Sequence, residues 1–210
     1  MNKPAQYVYY CVCEGENQER LYLDRLEQLL KTDKRIVIFE KIVGHPKRIN
    51  TFRARKGIKG VLFDHDGKEK DFESKLLICA QADNPKDKDN RTYAAYSNLN
   101  FDLWFILHKE DFTKSVNDNA AYHTDLRRIF DLPERKYKSV KSAEAVDKIC
   151  EQITLDDVKD AVRRAKEIRR LKLSTDQRWM GKTAYYHNNA NPDFSVHKFL
   201  EMVFKDCGVR

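Results

Sequence analysis

Three carboxylates stand where α/β chains place chemistry. The β-branched and aromatic run from Tyr7 to Cys13 ends abruptly in Glu14-Gly15-Glu16, and the run Val61-Leu62-Phe63 ends in Asp64-His65-Asp66-Gly67. Open α/β sheets bind ligands outside the carboxyl ends of their strands, so acids at these two points share a place as well as a type. Alternate residues of an extended chain project to the same side, which puts Asp64 and Asp66 together and His65 opposite them, in a structural role. If Glu14 meets this pair, each pair of charges repels by roughly 4 kcal/mol at about 4 Å near a surface. A divalent cation removes that penalty. Mg²⁺ takes carboxylates and water, and leaves its remaining positions to substrate phosphates. So held, it activates water and stabilises charge on a phosphoryl oxygen. The expectation is a Mg²⁺ (or Mn²⁺) site made by Glu14, Asp64 and Asp66. The general base is open between Glu16 and a water activated by the metal, with Glu14 less suited if it is a ligand.

The elements that must position these acids follow from periodicity. Tyr22, Leu23, Leu26, Leu29 and Leu30 fall on one face of a helix over Asn17–Lys31, for which Asn17 is the N-cap. Arg35–Val43 reads as a strand, and Pro46–Gly60 as a short, very basic crossover. After the strand ending at Asp64, Phe72 and Leu76 mark a helix over Asp71–Ala82. Thr92–Tyr96 is a strand leading into Ser97-Asn98, and Phe101–His108 is an apolar helix carrying Asp102 and His108. The remainder is helical and basic: Tyr122–Phe130, Ser142–Ile153, a helix capped by Thr154 and Asp157 that runs to Leu171, and Val196–Lys205, which Asn191-Pro192-Asp193-Phe194-Ser195 introduces and Gly208 stops. Strands alternating with helices give a parallel sheet wrapped by helices, and right-handed crossovers bring the strand ends to one edge. The division expected is a catalytic core over residues 5–112 and a basic helical region over 113–210 that packs on it.

Composition narrows the class. The formal charge of +7 is a surplus over 33 acidic residues, which suits either a partner bearing phosphates or ordinary solubility. Arg163, Arg164, Arg169 and Arg170, with Lys138 and Lys141 before them, are the candidate grip on a nucleic-acid backbone; charges spread over more than one face also fit a solvated helix. Ser97 and Asn98 are candidates to hold substrate or to orient Asp102. His108 is either a proton shuttle or a satisfied core histidine. Five scattered cysteines argue against a disulfide framework and for a reducing, cytoplasmic setting, and Cys11 and Cys13 read as packing under one strand face. No apolar run reaches the length of a membrane span. Met180-Gly181-Lys182-Thr183 lacks the glycine that a phosphate loop needs at position 176, which is Asp176. A phosphatase of the Asp-x-Asp type lacks its later acidic pair.

A resemblance sharpens this. The order of Glu-Gly after a first strand and Asp-x-Asp after a later one resembles the Toprim domain of topoisomerases, primases and old-like nucleases. Cys13 to Tyr22, Phe63 to Asp66, Ser97 to His108 and Asn191-Pro192 before the last helix are together similar to the RloB-like (abortive-infection) family. The resemblance implies a Toprim-like α/β fold and a Mg²⁺-dependent nuclease of antiphage defence acting on DNA or RNA, tRNA included, often beside an ATPase partner. It implies Glu14, Asp64 and Asp66 as metal ligands. Asp102 stands where the family usually has Glu, as a shorter ligand or a group behind the ligands. The alternative is an inactive Toprim-like protein that binds nucleic acid or a regulatory partner. Self-association is left open.

Overall fold

The computed structural model describes residues 3–133, 136–172, 178–179, 186–187 and 191–209. β1 (Ala5–Cys13) is followed by α1 (Gln18–Leu30), β2 (Arg35–Val43), a 3₁₀ segment (Pro46–Phe52), β3 (Lys59–Asp64), α2 (Glu69–Ala82), β4 (Thr92–Asn98) and α3 (Asp102–Lys109). Then come α4 (His123–Phe130), α5 (Ala143–Glu151), α6 (Leu155–Lys172), the two-residue strands β5 (Arg178–Trp179) and β6 (Tyr186–His187), β7 (Asp193–Phe194) and α7 (Val196–Cys207). The main sheet has the order β2-β1-β3-β4-β7. Its first four strands are parallel and β7 runs antiparallel to β4. The expected α/β class, a parallel sheet wrapped by helices with a helical C-terminal part, is what the chain adopts.

Both faces of the sheet are covered, which is why its strands read as nearly unbroken apolar runs. Along β1, Tyr9, Cys11 and Cys13 enter the larger core with α1, α3, α5, α6 and α7, while Tyr10 and Val12 enter a smaller one with Ile49, Phe52, Phe72 and Leu76. β3 alternates in the same way, with Leu62 in the larger core and Val61 and Phe63 in the smaller. Gly60 in β3 is required by close packing: a Cβ there would lie 2.8 Å from the Phe199 ring of α7. The larger core takes side chains from both sides of residue 112, from Tyr9 to Cys207. The five cysteines are free and buried, Cys11 and Cys13 among them. Among the described residues no helix is long and apolar enough to cross a membrane.

One local expectation changes, and one element is added before the last helix. Asn17 makes no side-chain cap; its amide instead donates to the Lys141 carbonyl at 2.9 Å, tying the start of α1 to the segment before α5. Asp193-Phe194 forms β7 before the last helix begins, because Ser195 fastens this stretch to β4: its N–H donates to Tyr96 O at 2.9 Å and its Oγ accepts from Tyr96 N at 3.0 Å. The reciprocal cap of α6 is present, with Thr154 N–H on Asp157 Oδ2 (2.8 Å) and Asp157 N–H on Thr154 Oγ1 (3.2 Å). Gly208 stops α7 in the left-handed conformation, at φ +67°. The phosphate-loop lookalike at residues 180–183 lies outside the described residues.

Candidate active site at the ends of β1 and β3

β1 and β3 are neighbours in the sheet, so their carboxyl ends fall side by side. Glu14 stays in register one residue beyond β1, its N–H donating to Leu62 O at 3.0 Å. Its carboxylate turns to β3, where Oε2 accepts from the Asp64 N–H at 3.2 Å. Lys75 of α2 reaches the same carboxylate, with Nζ 2.7 Å from Oε1 and 2.9 Å from Oε2. The Lys75 side chain is 3% exposed, and also touches Asp71 Oδ2 (3.0 Å) and Asp64 O (3.3 Å). Burial works against its charge, but the hydrogen bonds to Glu14 and Asp71 outweigh it and hold its pKa above the usual lysine value.

Gly15 and Glu19 form a second feature of this edge. Glu19 is buried in the first turn of α1, and its Oε1 accepts from Gly15 N–H at 3.3 Å. A Cβ on Gly15 would sit 2.3 Å from Glu19 Oε2, so the glycine is there to admit the carboxylate. Burial pushes this carboxyl up to about 7; two backbone N–H groups, its own and that of Gly15, oppose the shift and the Glu14 charge adds to it. Asp64 behaves alike: burial first, and then the charge of Glu19, raise it well above the carboxylate range. Asp64 Oδ1 is shielded from solvent and has no hydrogen-bond donor among the described residues.

Asp66 reaches the same cleft by a route other than strand alternation. β3 ends at Asp64, and Asp66 takes a left-handed turn conformation (φ +52°) whose N–H donates to Leu99 O at 2.9 Å. Its Oδ1 accepts from Asn119 Nδ2 at 3.1 Å. His65 does face away: it is buried against Phe72, with Nδ1 accepting from Gly67 N–H. Glu14, Glu16, Glu19, Asp64 and Asp66 line a cleft of about 300 Å³, with Lys141 at its rim. Glu16 is exposed there. Asp102 lies behind it, fully buried in the first turn of α3. Its Oδ1 accepts from Gln18 Nε2, and Lys141 Nζ stands 3.8 Å from its Oδ2.

Hard oxygen donors, a shielded acceptor without a donor among the described residues and two carboxyls raised by burial beside like charges are the chemistry a divalent cation relieves. The donors are of the right type and in one place. They are not a closed cage: among the described residues no three groups of metal-ligand type are close enough to hold an ion as they stand.

The remaining candidates do not line the cleft, apart from Lys141, although Ser97 stands at the same edge as the strand partner of Asp64. Ser97 and Asn98 are buried at the end of β4, beside Phe194 and Asp193 of β7, with Ser97 Oγ and Asn98 Oδ1 lacking partners among the described residues. His108 is in the core, where Nδ1 meets Trp104 O at 2.8 Å and Nε2 meets Tyr22 OH at 3.0 Å. Burial pushes its pKa down to about 4, so the ring is neutral. The arginines of α6 divide. Arg164 donates to Leu107 O (2.8 Å) and His108 O (3.1 Å) at the end of α3, and buried Arg169 donates to Phe194 O (2.7 Å) and faces Asp193 at 3.5 Å. Arg163 and Arg170 are exposed and paired with Asp160 and Glu167. Lys138 is exposed, and Lys141 alone of the basic candidates borders the cleft.

Glu19 and Lys75 are the site residues that strand ends do not reveal. Both stand within an apolar helical stripe, Glu19 with Tyr22, Leu23 and Leu26, and Lys75 with Phe72, Leu76 and Cys79. A charge on such a stripe is the signal that finds them.

A family model described as RloB-like protein matches residues 9–203. The chain belongs to the RloB-like family. The match begins within β1, takes in both acidic strand ends and runs into α7, so the cleft of this RloB-like chain lies wholly inside the family region. Neither curated proteins nor solved structures yield a match.

Proposed function

We propose that this RloB-like chain is a metal-dependent nuclease that cleaves phosphodiester bonds in DNA or RNA, tRNA included, through the cleft at the ends of β1 and β3. The observation that carries the reading is the shielded Oδ1 of Asp64, without a donor among the described residues, beside four further carboxylates. Asp64, Asp66 and Glu14 would hold Mg²⁺ or Mn²⁺, which when bound supplies charge for a phosphoryl oxygen and acidifies a water. Glu19 is the base: it is fixed by the Gly15 cradle, lines the cleft and has a pKa of about 7, suited to taking a proton from an attacking water near neutral pH. Lys75 keeps Glu14 aimed at β3, and Asp102, reached through Gln18 and Lys141, positions both rather than touching substrate. Lys141 contributes a cation for a substrate phosphate. The family membership and the resemblance support placing this activity in antiphage defence beside an ATPase partner, with residues 5–112 as catalytic core and 113–210 as its basic helical extension.

The test is cleavage of end-labelled RNA and DNA with Mg²⁺ or Mn²⁺. Products are expected from the wild type and none from Asp64→Asn with its fold intact; equal cleavage by both would refute the reading. A second reading, a nucleic-acid-binding protein without catalysis, is favoured by one observation, the ion pair by which Lys75 already neutralises Glu14. It predicts retained binding with no product from any substrate or metal.

A further inference from the structure

The basic crossover between β2 and β3 has no part in the cleft. Its 3₁₀ segment and the start of β3 enclose, with α2, a separate cavity of about 430 Å³ that includes Lys47, Asn50 and Arg53 from the crossover, Lys59 from β3, and Gln81 and Asn90 from α2 and the loop beyond it. Lys59 and Asp64 are the two ends of β3, so this cavity lies roughly 17 Å from the carboxylate cleft.

Its charge is one-sided. Lys59 is 4% exposed, and its ammonium donates to the Gly57 carbonyl at 3.0 Å and to Asn90 Oδ1, both neutral. An ammonium has three N–H donors, so one is left for a ligand. Among the described residues no carboxylate lines the cavity, and burial pushes the Lys59 pKa down, opposed in part by the charge of Asp87. Lys47 and Arg53 are exposed at the mouth, and neither side chain has an ion pair among the described residues. A buried cation that Asp87 compensates only in part, with two free cations above it, is costly unless an anion completes it. Arg and Lys together match a phosphate by fork and point charge. The volume is that of a small-ligand pocket, and Ile49, Ile78 and Ala82 give it an apolar wall beside its amides.

We propose that this cavity binds the phosphate of a nucleotide-sized ligand, seated on Lys59, Lys47 and Arg53. The ligand is a free nucleotide or the 5′-phosphorylated end of a nucleic acid. The site is independent of the nuclease reading and stands or falls without it.

Calorimetric titration of the full chain with inorganic phosphate, AMP and the 5′-phosphorylated dinucleotide pApA tests this. AMP, pApA or both should bind the wild type, and more tightly than inorganic phosphate. The double variant Lys47→Ala/Arg53→Ala, in which both positions are exposed and the fold is kept, should weaken that binding by at least about tenfold. Asp64→Asn, at the far end of β3, should leave it unchanged. AMP binding as tightly as pApA identifies a free nucleotide; pApA binding alone identifies a nucleic-acid end. Absence of binding by both nucleotides, phosphate binding as tight as that of whichever nucleotide binds, or an unaltered double variant would each overturn the proposal.

Discussion

Lys75→Met removes the cation that both oxygens of Glu14 touch. The pair is largely buried, with side chains 3% and 28% exposed, so breaking it strands a carboxylate at the sheet edge. One-sided removal of a buried partner costs 3–5 kcal/mol in general; the partial exposure of Glu14 argues for the lower end, about 3 kcal/mol. For a chain of this length that is a fall in Tm of roughly 6–12 °C. Glu14→Gln in the same background removes the stranded charge, so the double variant should recover about 1–2 kcal/mol relative to the sum of the singles. The informative arm is Mg²⁺. If the cleft takes a metal as proposed, Lys75 and the metal compete for one carboxylate in the wild type, and in Lys75→Met they do not. Stabilisation by a ligand follows RT ln(1 + [L]/Kd), so a tenfold gain in affinity raises the Mg²⁺-induced stability by about 1.4 kcal/mol at saturating metal. Urea denaturation of the four proteins with and without Mg²⁺ reads both effects. Additive single variants, or a Mg²⁺ response in Lys75→Met no larger than in the wild type, would refute the competition.

Three further outcomes follow from the contacts. Gly15→Ala places a Cβ 2.3 Å from Glu19 Oε2, so it should expel that carboxylate and abolish cleavage while costing only about 1–3 kcal/mol of stability by overpacking; crystallography of the variant would show Glu19 displaced or, against the reasoning, unmoved. His108 is held at about 4 in the fold against an ordinary 6.5, so the unfolded chain binds the extra proton between those values. His108 should therefore contribute roughly 3 kcal/mol that grows with pH across about 4 to 6.5 and is lost as pH falls through that window, against the opposite slope of Glu19 and Asp64, whose raised pKa values make the folded chain hold the extra proton. His108→Gln should remove this contribution, so the stability difference between wild type and variant should grow with pH across the window in paired denaturation titrations, while Glu19, Asp64 and buried His197 act alike in both proteins. Arg169→Met removes the buried cation that faces Asp193 and caps the Phe194 carbonyl and should cost several kcal/mol, whereas Arg163→Ala should stay within about 0.5 kcal/mol, a contrast that thermal denaturation resolves directly.

The sheet was legible because both of its faces are covered, which turns each strand into an apolar run and each connection into a helix. Glu14, Asp64 and Asp66 were legible for the same reason: a carboxylate that interrupts such a run marks a strand end. Asp66 arrived at the right place through a turn at positive φ that no alternation rule contains. Glu19 and Lys75 were missed because glutamate and lysine are ordinary helix residues, and only their place on the buried stripe sets them apart. The arginines of α6 look alike in the sequence. What separates Arg164 and Arg169 from Arg163 and Arg170 is the end of α3 and the strand β7 packed beneath them, and β7 is two residues long, too short for any periodicity to announce.

The central claim is that the carboxylates at the ends of β1 and β3 bind a divalent cation through Asp64. Titration of the full chain with Mn²⁺, followed by electron paramagnetic resonance of the free ion, tests it without any choice of substrate. The wild type should deplete the free Mn²⁺ signal, Mg²⁺ should restore it by competition, and Asp64→Asn, folded as the wild type, should not deplete it. Equal depletion by the two proteins, or none by either, would contradict the account.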